Sequence, residues 1–287
     1  MPSTITYLTS YYSPVPGSCP VSDPYCNPIL TIASLRNYTD APVVVYDFNG
    51  CDWKSYPKML DFQVVPAVMY NFHHSLPPLT RLVFSRIITL FRSAALHPGK
   101  YVHMDTDLFW MGCVPEDWDF SVLRMARTGC FVNNGCFTFD GGYRSFSMLS
   151  QVAAACLMAD RPGMEETVKR VTTLDYYNDE SMICYLLHMG DLGIPLEPFS
   201  HNGMIHSDVR GQTNLHLLQG CMPQPIRANR VLYALMMEEI NHGVVRDVFP
   251  GFEPQIAFSY AQCQTPEFRA VFTRQMDKHM IGGRLDV

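Results

Sequence analysis

Lys100-Tyr-Val-His-Met-Asp105-Thr-Asp107-Leu-Phe-Trp110 is an apolar run that ends on two carboxylates one residue apart and then turns apolar again. It reads as a buried strand finishing at Asp105. Residues i and i+2 of a strand share a face, so Asp105 and Asp107 are expected to point together into one crevice. In open α/β sheets, ligands bind outside the carboxyl ends of the strands, at a topological switch point. Two like charges held there raise each other's pKa unless a cation lies between them. A hard divalent ion, Mn²⁺ or Mg²⁺, meets that need and keeps coordination positions for phosphate oxygens.

Working outward, Leu79 to Leu96 predicts a helix. Leu79, Val83, Ile87, Leu90, Phe91 and Ala94 fall on one stripe at 3.6-residue spacing, with Arg81 and Arg92 opposite. Arg86 sits at the edge of the stripe, where a charged side chain needs a partner. Pro98-Gly99 ends the helix. Upstream, Ile5 to Ser10 reads as a first strand, Ser13 to Pro28 as a loop, and Ile29 to Asn37 as a helix. Val43 to Asp47 reads as a continuous buried strand, and a shorter one lies near Phe62 to Val65. This alternation of strand and helix is that of an α/β domain. Downstream, Cys130 to Asp140 reads as a strand with a turn at Asn133-Asn-Gly135. Ser145 to Ala159 and Asp179 to Met189 are helical, and Thr213 to Leu218 is a short strand. Helical pattern returns from Arg230 to Ile240 and from Pro266 to Met280. With no repeat, low-complexity run or marked linker, residues 1–287 read as one domain.

Composition narrows the classes. The 287 residues are 47% hydrophobic and 17% charged, which supports a large core and excludes disorder. A net charge of −6 disfavours a protein that coats nucleic acid through a basic stripe, although a local basic patch stays compatible with a nucleic-acid substrate. Met1 to Tyr7 has neither the basic nor the apolar region of a secretory signal, and no run is apolar enough to span a bilayer. A cytoplasmic protein is expected. Ten cysteines without a Cys-x-x-Cys, with Cys113, Cys136, Cys156 and Cys184 inside apolar runs, read as reduced core thiols.

The helix from Ser85-Arg86 to Leu96, the apolar strand and Asp105-Thr-Asp107 together resemble the donor site of GT-A fold glycosyltransferases. The nearest patterns are those of glycogenin-like and bacterial lipopolysaccharide galactosyltransferase-like enzymes. Phe131-Val-Asn133-Asn134-Gly135 resembles the family's Asn-x-Gly strand bordering the donor sugar. Tyr177-Asn-Asp179-Glu180 with the following helix resembles its Asp-Gln helix start. Asn214-Leu-His216-Leu-Leu-Gln-Gly220 resembles the late strand whose histidine completes the metal site. The departures are specific. His216 and Gly220 are one residue further apart than in the family, and Met222-Pro223-Gln-Pro225 replaces its Lys-Pro-Trp. The diphosphate lysine therefore has no counterpart, with Arg227 as a substitute, and Glu180 stands for a glutamine. His201 and His206 are rivals to His216.

The resemblance implies a single GT-A-like (Rossmann-like) α/β domain with a mixed central sheet flanked by helices. Residues up to about 130 would bind the nucleotide-sugar and the remainder the acceptor. It implies a metal held by Asp107 and His216, with Asp105 bridging metal and ribose, and donor contacts from Thr9, Ser10, Tyr11, Arg86 and Asn133. Arg86 is expected to pair with Asp105 or the donor sugar. Asp179 and Glu180 are the candidate catalytic carboxylates beside the anomeric carbon, whose oxocarbenium-like transition state a negative charge stabilises. The implied reaction is sugar transfer from a nucleotide-sugar, UDP before GDP, with retention favoured over inversion. In an inverting enzyme one of the two carboxylates would be the general base. The acceptor is left open among glycan, protein, lipid headgroup and nucleic-acid base. A nucleotidyltransferase is the nearest enzymatic rival, but Thr9-Ser-Tyr-Tyr12 is not the Gly-rich phosphate loop it would carry. A two-metal phosphohydrolase would need a further carboxylate cluster. A non-catalytic nucleotide-sugar-binding module is the alternative from another class.

Overall fold

The computed structural model describes residues 5–13, 17, 28–54, 58, 60–72, 76–106, 108–110, 112–190, 192–196, 206–209 and 212–216, the last two segments as backbone. In chain order the elements are β1 (Ile5–Tyr11), α1 (Pro28–Arg36), β2 (Val43–Asp47), β3 (Gln63–Pro66), α2 (Pro78–Leu96), β4 (Lys100–Met104) and β5 (Leu108–Trp110). They continue with β6 (Arg124–Thr128), β7 (Phe131–Asp140), α3 (Tyr143–Leu157), α4 (Met164–Thr172), α5 (Asp179–Gly190), β8 (His206–Val209) and β9 (Gln212–His216). The helices expected after residue 230 lie outside the described residues.

Six strands form a mixed sheet in the order β3-β2-β1-β4-β7-β6. β1 lies parallel to β2 and to β4, β2 parallel to β3, and β7 antiparallel to both β4 and β6. The expected α/β architecture with a mixed central sheet is therefore present. The order reverses at β1, because β2 lies on one side of it and β4 on the other. The carboxyl ends of β1 and β4 thus flank a switch point.

Period-2 alternation assigns the side chains to two cores. Leu8, Tyr101, Phe137 and Phe139 pack against α2, α3 and α5 through Phe84, Ile87, Met148, Leu149, Met182 and Ile183. On the other face Tyr7, Tyr11, Val43, Val45, Val102 and Met104 meet Ile29 and Ile32 of α1 with Leu108 and Trp110 of β5. The alternation along β4 puts Tyr101 and His103 on the α2 side and Val102 and Met104 on the α1 side. Asp105, two residues beyond His103, continues on the side that faces α2.

Several expectations shift in detail. α2 starts on Pro78 at its first helical position, where a missing N–H is tolerated. Its buried face contains Phe84, Ser85, Ile87, Ile88, Leu90, Ser93 and Ala94, whereas Leu79, in the first turn, is 69% exposed. Two serines enter this face because their hydroxyls donate to carbonyls one turn back, Ser85 to Arg81 (2.7 Å) and Ser93 to Thr89 (3.0 Å). The turn expected at Asn133-Asn-Gly135 is instead an irregularity inside β7. Met125 pairs with Phe137 and Ala126 with Asn133, so residues 134–136 bulge from β6. The same stretch stays bonded to β4's side, where the Asp105 N–H donates to the Gly135 carbonyl (2.7 Å). A strand held on one flank need not turn to lose its partner on the other. β5, β6, α4 and β8 were not anticipated from the sequence, being short or strongly charged. Cys136, Cys156 and Cys184 are buried free thiols, as expected. Among the described residues no helix is long and apolar enough to cross a membrane.

Phe84 is fully buried between Phe72 and Tyr177, with ring centroids 6.0 and 5.4 Å away. Phe84→Ala is expected to lower stability by about 3–5 kcal/mol through lost burial and the cavity left behind. Urea denaturation of the variant against the parent chain checks this.

Candidate active site

Three elements converge beyond the carboxyl end of β4. α2 brings Arg86, the residue after β4 brings Asp105, and the first turn of α5 brings Asp179. Arg86 bridges the two carboxylates. Its Nε donates to Asp179 Oδ2 (2.8 Å), its Nη2 reaches the same oxygen (2.8 Å), and its Nη1 donates to Asp105 Oδ1. The side chains of Asp179, Arg86 and Asp105 are 1%, 13% and 22% exposed, so the cluster opens outward at Asp105. Burial alone would lower the Arg86 pKa, but Asp105 and Asp179 outweigh it and hold the guanidinium charged.

The local sequence makes this meeting possible. Asn178 caps α5 reciprocally with Ser181: the Ser181 N–H donates to Asn178 Oδ1 and the Asn178 N–H to Ser181 Oγ, each at 2.9 Å. The cap fixes Asp179 as the first helical residue, and Asp179 Oδ1 accepts the Glu180 N–H (3.0 Å). On the other side, Trp110 is fully buried edge-on to Tyr7 (5.6 Å), and its backbone N–H donates to Ser34 Oγ (2.9 Å). Asp105 thus follows directly on a strand held in the sheet, and β5 is anchored in the core on the α1 side.

Glu180 lies in a different environment from its neighbour. It is half-buried, its Oε1 accepts the Tyr176 hydroxyl (3.1 Å), and it makes no ion pair with Arg86 among the described contacts. Burial pushes its carboxyl up to about 7, against the Tyr176 bond, with the Asp179 and Asp105 charges adding to the rise. Tyr176 is itself held well above the ordinary phenol range by burial and by Glu180. His103, fully buried, presents Nε2 to Asp105 Oδ1 at 3.3 Å, and burial depresses its pKa while the Asp105 bond opposes that fall.

The residues expected to bind nucleotide stand at the end of β1. Thr9 is fully buried and Ser10 half-buried, and neither hydroxyl has a protein partner. Tyr11 is buried edge-on to Trp53 (5.6 Å), on the core side of the sheet. Asn133 is buried, with Oδ1 accepting the Gly135 N–H (2.9 Å). Asp107, His201 and Arg227 lie outside the described residues. β9 pairs with β5 so that His216 stands opposite Leu108, one residue beyond Asp107, while the rival His206 pairs with Asn214. Among the described residues no three His, Cys, Asp or Glu side chains gather into a metal-sized group.

Sequence reasoning missed Tyr176 and His103. Tyr176 gives no periodic signal because it precedes α5 in a loop, and His103 reads as an ordinary strand residue. Asp47 shows the opposite case, a buried carboxylate at the end of β2 that is saturated by its own loop. It accepts the N–H groups of Asn49 (3.0 Å), Gly50 (2.9 Å) and Cys51 (2.7 Å) and the Trp53 indole (2.8 Å). Such a group has no capacity left for a ligand. A surface groove of about 460 Å³ lies elsewhere, between β2, β3 and the C-terminal half of α2, and no carboxylate lines it.

No family model and no curated protein matches the sequence. In structure the chain is similar to mouse xyloside xylosyltransferase 1 in its apo form, at 7% identity and a TM-score of 0.41, over 68% of this chain and 84% of that one.

Arg86→Met leaves Asp179 buried beside Asp105 with no cation between them. It is expected to lower stability by about 3–5 kcal/mol, the scale for orphaning a buried charge, and Arg86→Met with Asp179→Asn is expected to recover much of that. Chemical denaturation of the single and double variants reads both effects. Glu180 gives a second test. The native state keeps its proton to about pH 7, whereas the unfolded chain releases it near 4.5. Between those values the native state binds more protons, so Glu180 makes stability fall as pH rises, by at most about 1.4 kcal/mol per unit. Glu180→Gln is expected to flatten that fall in a pH series of urea melts.

Proposed function

We propose that the chain is a metal-dependent glycosyltransferase that moves a sugar from a nucleotide-sugar, UDP-linked in the first instance, to an acceptor hydroxyl with retention. The observation that carries this reading is the Asp105–Arg86–Asp179 cluster beside Glu180 at the carboxyl ends of β1 and β4. Ligands of open α/β sheets bind at that position. Two carboxylates share one guanidinium there, an anionic excess that suits a cation.

The donor set fits a hard divalent ion in kind. Asp105 is the most open member of the cluster, and the backbone of His216 pairs with Leu108, the residue that follows Asp107 in sequence. Asp105, Asp107 and His216 would hold the metal, which when bound offsets the charge growing on the diphosphate leaving group. Arg86 keeps Asp105 and Asp179 apart in charge terms and fixes α5 against β4. Thr9 and Ser10 would border the nucleotide at the adjoining strand end, Ser10 with an unpartnered hydroxyl on the face that carries Asp105. Asn133 borders the sugar. Asp179, neutralised by Arg86, sets the position of Glu180, and Glu180 is the carboxyl left to face the anomeric carbon.

One observation favours a second stereochemical course. A carboxyl that binds a proton up to about pH 7 suits a general base, and a base acting on the acceptor hydroxyl gives inversion. The anomeric configuration of the product, read by NMR, separates the two courses.

A panel of nucleotide-sugars assayed with Mn²⁺ for nucleotide release tests the reading as a whole. Turnover of a UDP-sugar is expected, and Asp107→Asn is expected to reduce it on the order of a hundredfold or more, a loss of several kcal/mol at the leaving group. Turnover of no nucleotide-sugar, or a parental rate in Asp107→Asn, would overturn it. Pyrophosphate as the product would mark a nucleotidyltransferase, and donor binding without turnover a binding module.

A further inference from the structure

His103 is a polar ring in a place that an apolar residue would fill. It lies in β4 at the middle of the sheet, fully buried, paired in register with Phe137, the two rings tilted by 41° with centroids 4.6 Å apart. Its Nδ1 is buried with no hydrogen-bond partner. A ring nitrogen left so is a standing penalty that phenylalanine would not carry. Its Nε2 lies 3.3 Å from Asp105 Oδ1. A carboxylate only accepts, so the proton of the neutral imidazole is on Nε2. Arg86 Nη1 donates to that same oxygen. Two donors from different elements, β4 and α2, thus converge on one carboxylate oxygen, and together they oppose rotation of the group.

We propose that His103 is a positioning residue whose Nε2–H, with Arg86, holds the Asp105 carboxylate in the orientation from which it ligates a divalent cation. This rests on the reading of Asp105 as a metal ligand. Hydrogen-bond partners of ligating carboxylates typically change metal affinity by about 10–100-fold when removed. The penalty at Nδ1 is then the cost of placing a donor where the fold by itself would take a hydrocarbon.

The test uses Mn²⁺ alone, titrated by calorimetry into protein free of nucleotide, with thermal melts of the same samples without metal. His103→Phe keeps the ring volume beside Phe137 while removing both the donor and the unpartnered nitrogen. It is expected to melt at or above the parent temperature yet bind Mn²⁺ about tenfold or more weakly. His103→Gln, whose amide N–H reaches about as far as Nε2, is expected to restore most of the affinity. Parental affinity in His103→Phe, with affinity lost in Asp105→Asn, overturns the positioning role and leaves the metal reading standing. A His103→Phe chain that melts below the parent marks a ring kept for packing and overturns it as well, as does a His103→Gln chain as weak as His103→Phe. An absence of Mn²⁺ binding in the parent chain overturns both this inference and the reading beneath it.

Discussion

The structure turns on one guanidinium. Arg86 joins the end of β4 to the start of α5, residues 19 and 93 positions away in sequence, and it does so where all three side chains are largely out of water. Placing Asp105 and Asp179 together without a cation would force one of them to take up a proton. A lysine could supply the charge but not the fork that reaches two carboxylates at once. The pairing is not an efficient source of stability, because desolvating three charges offsets most of their attraction. What it determines is position. α2 and α5 cannot slide relative to β4 without exposing an unpaired charge, whereas the surrounding apolar contacts of Phe84, Met182 and Ile183 tolerate small shifts.

Adjacent residues in one helical turn then acquire opposite chemistry. Asp179 is spent on Arg86 and on the Glu180 N–H, so it is a fixed negative charge with no freedom to act. Glu180 is one residue further round the helix, outside the fork of Arg86, with the Tyr176 hydroxyl as its recorded partner. Burial and the two neighbouring carboxylates push its proton affinity up, and a single phenol bond does not reverse that. One helical turn thus holds a carboxylate paired with a guanidinium beside a carboxyl whose proton affinity is raised. The cap by Asn178 and Ser181 fixes the start of the helix on which this division rests.

Much of the fold was legible because it depends on local pattern. β2 falls on the expected residues, and α2 and α5 within a residue or so at each end. The apolar run before Asp105 could not be solvated, so a buried strand was forced. Arg86 announced itself as a charge at the edge of an apolar stripe, and Asp105 is one of its partners. What could not be read was whatever depends on two distant segments at once. That Asp179 is the second partner follows from the packing of α5 on α2, which no spacing in the sequence encodes. The bulge at Asn133 looked like a turn because Asn-Asn-Gly suits one. It is a strand irregularity because β4 supplies pairing on the flank that β6 gives up. The exposed Leu79 was misplaced because periodicity gives the phase of a helix but not which of its turns the rest of the fold covers.

Among the described residues, buried side-chain atoms without a protein partner occur on several elements, and three of them, in Thr9, Ser10 and His103, lie on β1 and β4, the strands that flank the switch point. Asp47, at the carboxyl end of β2 and just as buried, is saturated by four N–H groups. The contrast separates a carboxylate that organises its own loop from groups whose bonding capacity the fold leaves unused. A sequence selected for stability alone would fill these three strand positions with residues that need no partner. Of the three, Ser10 is half-buried on the face of the sheet that carries Asp105, so its missing partner is best sought in whatever enters the crevice beyond the carboxyl ends of β1 and β4.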